Sequence, residues 1–148
     1  MSSHVKLIRQ ALADALDPLV KRTGGGQATA YADLESPTPP VIQVLGIAGG
    51  NLDLTEGTFG RPASVYRIVL LGLAGRTSDR AAQERLDDWL DAYGDNSVQE
   101  AIEADQTLGA TPGVWAVQVE SCTGYGPVDY PGGTRLLGCE WTVRVQSR

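Results

Sequence analysis

The chain has 148 residues, of which 42% are hydrophobic and 20% charged, and its formal net charge is −6. This describes one ordinary domain over residues 1–148, large enough to bury a core and too apolar for a disordered segment. An acidic balance makes a poor general nucleic-acid binder, whose affinity comes mainly from neutralising phosphates.

The charge is unevenly placed. Residues 79–105 hold nine acids and two bases, net −7, whereas the remainder holds nine acids and ten bases, net +1. Such a run reads first as the solvated face of a helix. No apolar run approaches the ~20 residues of a membrane span. The start of the chain, Met1–Gln10, lacks the apolar run of a signal peptide, so the protein is expected to be made and kept in a cytoplasm.

Val5, Ile8, Leu12, Leu16 and Leu19 recur at helical spacing, with Ala11 and Ala15 beside them. Ser2 or Ser3 can cap this helix, and Pro18 is expected to end or kink it, because proline lacks an N–H and clashes with the preceding turn. Thr23–Gln27, with three glycines, then reads as a turn feeding a strand rather than an interdomain linker, since nothing before it could fold alone. Ala28–Leu34 is a predicted strand and Ser36–Pro40 an extended connection. Val41–Leu45 is a short apolar strand. Ser64–Ala74 is a longer one, apolar on both faces, which places it centrally in a sheet. Between them lies Gly46–Ala63, a functional or mobile loop or a protruding hairpin, carrying Leu52, Leu54, Phe59 and Arg61.

Ser78 is a candidate N-cap for a helix over Asp79–Tyr93, with Ala82, Leu86, Trp89, Leu90 and Tyr93 on its buried stripe and Gly94 ending it. Ser97 and Glu100 form a predicted capping box for a short helix reaching about Ala104. Trp115, Val117 and Val119 alternate with polar residues, as do Leu137, Cys139, Trp141, Val143 and Val145; these are two half-buried strands. Thr123–Thr134, with four glycines and two prolines, is the expected connection. Continued alternation puts Cys139 on the inner face and Cys122 on the outer, so a disulfide between them is not expected. Trp89, Trp115 and Trp141 all fall on predicted buried faces.

Signatures of chemistry fail one by one. Two cysteines and one histidine, His4, are too few for a disulfide scaffold or a zinc site. Val41–Gly50 runs a strand into glycines without dinucleotide spacing or a following helical pattern, and Thr23–Gln27 lacks the Lys-Ser/Thr of a phosphate loop. Asp87, Asp88 and Asp91 lie opposite the apolar stripe, and Asp91–Ile102 has the wrong residues at the third, sixth and twelfth positions of a calcium loop. The expectation is a protein that is not an enzyme and carries no cofactor and no metal.

Taken in order, Thr58–Arg61, Gly75–Leu90, Ser97–Gly109, the Gly124-Tyr-Gly126 turn and Leu137–Val145 closely resemble the tail terminator proteins of long-tailed bacteriophages, particularly actinobacterial phages. The resemblance runs from the first helix to the last strand, rests on the order and spacing of motifs, and departs at Ala110, where the family usually has glycine. It implies an α+β subunit with a mostly antiparallel sheet of four to five strands packed by an N-terminal and a central helix. It further implies a homo-hexameric ring that caps the tail tube, ends its polymerisation and joins the tail to the neck at the head–tail junction of the virion. The partners would be the major tail tube protein, a neck or head-completion protein, and genomic DNA passing without sequence-specific binding. Leu52, Leu54, Phe59 and Arg61 are the candidate contacts with a neighbouring subunit or the tube. Another neck or connector protein is the alternative, and a small ligand-binding domain a more distant one.

Overall fold

The doubly apolar segment from Ser64 and the two alternating segments near the C-terminus build the three longest strands of a five-stranded sheet, seen in a computed structural model that describes residues 4–23, 28–29, 40–47, 64–129 and 135–147. The elements run α1 (His4–Arg22), β1 (Ala28–Thr29), β2 (Val41–Ile47), β3 (Ser64–Arg76), α2 (Arg80–Leu90), α3 (Val98–Glu103), β4 (Val114–Asp129) and β5 (Arg135–Ser147). The sheet order is β1-β2-β3-β5-β4. Every neighbouring pair is antiparallel except β1 with β2, which is parallel. The expected α+β class and mostly antiparallel sheet are therefore present, and β3 holds the central place that its two apolar faces require.

The helices share one core with one face of the sheet. Ile8, Leu12, Leu16 and Leu19 of α1, Ala82, Leu86 and Trp89 of α2, and Val98 and Ile102 of α3 bury against Ile42, Val44, Ile68, Leu70, Trp141, Val143 and Val145. The rings of Trp89 and Trp141 meet at a centroid distance of 6.5 Å and a tilt of 59°. Gly72 on β3 makes room for them: a Cβ there would come within 2.5 Å of Trp141 and 3.3 Å of Trp89. Arg85 ties α2 to its neighbours, donating to the Thr23 carbonyl at 2.6 Å and the Ala74 carbonyl at 2.5 Å. On the opposite face of the sheet Val41, Leu73 and Leu136 form a smaller buried cluster.

Several boundaries differ from the sequence-based expectation. Helix α1 continues through Pro18 to Arg22. Pro18 and Asp14, whose carbonyl loses its helical donor, both lie on the exposed side, while buried Leu19 and Val20 hold the last turn against the core. Asp79, not Ser78, caps α2, accepting from the Ala81 N–H at 3.0 Å, and the helix ends at Leu90. Tyr93 therefore lies past it and is 84% exposed. Ser97 caps α3 as expected, accepting from the Glu100 N–H at 3.1 Å. The reciprocal half of the box is replaced: the Glu100 carboxylate accepts from the Gly94 N–H instead. Strand β4 runs on through Gly124, Gly126 and Pro127, where a connection was expected. It is an edge strand, where proline and glycine disturb the ladder least.

Bulges explain the remaining corrections. Register shifts at Val114/Ala116 and Val119/Ser121 each insert one unpaired residue in β4. The first leaves Trp115 out of the ladder and 52% exposed, not buried. The second reverses the phase of the residues that follow it, as far as a third shift between Thr123 and Gly126. Cys122 then pairs with Trp141, which shares a strand face with Cys139 two residues away, and the two cysteines are disulfide-bonded across 6.8 Å between Cα atoms. The expectation of opposite faces assumed an unbroken alternation that the bulge interrupts.

Candidate functional site

The four residues expected to carry an interface, Leu52, Leu54, Phe59 and Arg61, lie outside the described residues, as do Ser2, Ser3 and most of the predicted strand at 28–34. Among the described residues, the surface features gather on the sheet edges and around α3. Among these residues, strand β4 is hydrogen-bonded to β5 alone, so its outer backbone edge ends the sheet on one side. On the other side β1 lies last among the described residues. The two edges are unlike in direction: β1 runs parallel to its neighbour and β4 antiparallel to its own. The outer half of β4, Glu120–Val128, is exposed or half-buried throughout.

Two aromatic residues stand out along β4. Trp115 and Tyr125 are each 52% exposed. The Tyr125 hydroxyl donates to Asp87 of α2 at 3.3 Å. Partial desolvation, then the neighbouring Asp87 charge and hydrogen bond, raise the Tyr125 phenol above its ordinary value. Further along the open face of the sheet, Arg67 and Arg144 sit directly opposite each other on β3 and β5. Both approach the Glu120 carboxylate, at 3.3 and 3.8 Å, which offsets their like charge.

The loop from α3 to β4 is built by its own side chains. Asp105 accepts from the Thr107 hydroxyl at 2.6 Å, the Thr107 N–H at 2.9 Å and the Gly109 N–H at 2.8 Å. These bonds, that of the Thr107 hydroxyl first, hold its carboxyl below the usual carboxylate range. The clasp sets Leu108, Gly109 and Ala110 at φ of 48°, 65° and 62°, three successive left-handed residues of which only one is glycine. Ala110 is the position where the sequence departs from its resemblance. Asp17 on α1 is likewise lowered, first by the hydrogen bond from Lys21 at 2.8 Å and then by the Ala28 N–H at 3.1 Å.

Asp87, Asp88 and Asp91 are exposed, as expected for the outer face of α2. No group of three or more His, Cys, Asp or Glu among the described residues could hold a metal ion. No described helix is long and apolar enough to cross a membrane. No protein-family model matches the chain, and no curated protein matches its sequence. The bulged Trp115 and the clasped loop are features sequence reasoning missed. A bulge leaves no mark in a pattern of apolar residues, whereas Asp105-Gln-Thr107 was a readable turn signal.

Proposed function

We propose that the protein is a structural ring subunit of a phage tail, a tail terminator that caps the tube, stops its growth and joins it to the neck at the head–tail junction. The observation that carries this reading is the pair of unlike sheet edges, β1 and β4, at opposite ends of one sheet. A closed ring requires a heterologous, head-to-tail contact in which one surface meets a different one on the next copy. Two distinct edges at opposite sides supply such surfaces, and an edge strand offers unpaired backbone groups to a neighbour. Exposed Trp115 gives the β4 edge an aromatic of the kind enriched at interfaces.

The charge distribution supports a conduit. The exposed carboxylates of α2 repel DNA, so a ring of such subunits surrounds a passing genome without gripping it. The subunit acts by shape and assembly and has no catalytic role. Its partners are other copies of itself, most simply six, the major tail tube protein and a neck protein. A reconstruction of the neck of the virion tests this: six copies in one ring on the end of the tube support it, and density elsewhere in the particle, or none, refutes it.

A further inference from the structure

A groove runs along the outer side of α1 where the helix meets α3 and the loop that follows it. One part, about 560 Å³, has an apolar floor of Leu7, Ala11 and Ala15 from α1, Ile102 from α3, and Leu108 and Pro112 from the loop. A second part, about 440 Å³, shares Ala15 and Ala101 with the first and continues past Pro18 to Arg22. Leu7, 37% exposed, Ala11, Ala15 and Pro18 thus make a second apolar stripe on α1, beside the one that faces the core.

The rim is acidic. Asp14 and Asp105 line the first part with no base beside them among its lining residues. Asp95, Glu100 and Arg22 line the second, and the Arg22 guanidinium already donates to the Asp95 carbonyl. The balance is four carboxylates to one base around an apolar floor. One wall is the left-handed run Leu108–Ala110, held by the hydrogen bonds that Asp105 accepts.

We propose that this groove docks a basic amphipathic helix of a partner protein, its apolar side chains on the Leu7–Ala15 floor and its lysines or arginines toward Asp14, Asp105 and Glu100. The stripe from Leu7 to Arg22 rises about 1.5 Å per residue, which matches a partner helix of about four turns. Such helices lay an apolar face with i, i+4, i+7 anchors into a groove. The inference does not depend on the ring reading.

The test is fluorescence anisotropy on the full chain. The probe is a labelled amphipathic peptide of about 16 residues, with leucines at i, i+4, i+7 and i+11 and lysines elsewhere. Its counterpart carries glutamates in place of the lysines. Binding of the lysine peptide is expected with Kd on the order of 10 μM. Leu7→Glu and, separately, the exposed Asp14→Lys should each weaken it about tenfold, with unchanged far-UV circular dichroism. Asp87→Asn with Asp88→Asn, on the acidic face of α2, should leave the affinity within about twofold. Equal affinity for the glutamate peptide, indifference to Leu7→Glu and Asp14→Lys, or loss through the α2 variant would overturn the proposal. So would self-association of the peptide-free protein that Leu7→Glu abolishes, because a second copy would then be the occupant.

Discussion

Gly72→Ala tests the central packing contact of the fold. The added methyl carbon would lie 2.5 and 2.9 Å from two ring atoms of Trp141 and 3.3 Å from one of Trp89. Carbon atoms normally rest about 3.5–4.0 Å apart, so the Trp141 ring must move by roughly 1 Å. It has little room: Trp141 is 2% exposed and Trp89 is fully buried. Overpacking of this kind costs about 1–3 kcal/mol, and two immobile rings place Gly72→Ala toward the upper end. For a chain of this length that lowers Tm by roughly 4–10 °C.

Urea unfolding followed by tryptophan fluorescence reads the loss, in a Trp115→Phe background so that only the buried pair reports. A double-mutant cycle isolates the cause. Trp141→Phe removes the outer ring atoms that clash, so Gly72→Ala in that background should cost less than about 1 kcal/mol. Parent-like stability of Gly72→Ala, within about 0.5 kcal/mol, or equal cost in both backgrounds, would refute the packing argument.

Three further outcomes follow from local structure. Ala110→Gly relieves a left-handed alanine and should raise stability by up to about 1 kcal/mol by urea midpoint, where a loss would mean that the loop is not held as described. Asp105 and Asp17 have carboxyls held low in the fold, so their contribution is present above the ordinary carboxylate range and is lost as pH falls below about 4. Asp17→Asn with Asp105→Asn should therefore flatten the decline of the urea midpoint between about pH 5 and pH 2, and an unchanged slope would count against those hydrogen bonds. Cys122→Ser opens a bridge with a sequence separation of 17 and should cost about 3 kcal/mol under oxidising conditions and nothing after reduction; equal stability in oxidising buffer would contradict the bridge.

What could be read from the sequence was whatever regular periodicity or cap chemistry encodes. Leu137–Val145 alternates without interruption and is β5; Ser97 caps α3; the doubly apolar Ser64–Ala74 lies at the centre of the sheet. What could not be read depends on counting past an irregularity. One extra residue near Glu120 turns Cys122 toward Cys139, and another at Trp115 carries that ring out of the ladder. Pro18 misled because its cost depends on whether the carbonyl four residues back faces water, which only the tertiary structure decides. The role of Gly72 is equally invisible, since it becomes a requirement only when two tryptophans from different elements arrive above it. The groove had a faint signal in Ala11 and Ala15 beside the core stripe. Its acidic rim comes from α1, α3 and the segments that flank α3, which the fold alone brings together.

Deleting the gene from the genome that carries it and measuring tail tubes by electron microscopy tests the central proposal most directly. A ring subunit that ends tube growth predicts tubes of uncontrolled, excess length without attached heads. Tubes of normal length, attached or free, would contradict the terminator role, and normal but unattached tails would assign the protein to the neck instead.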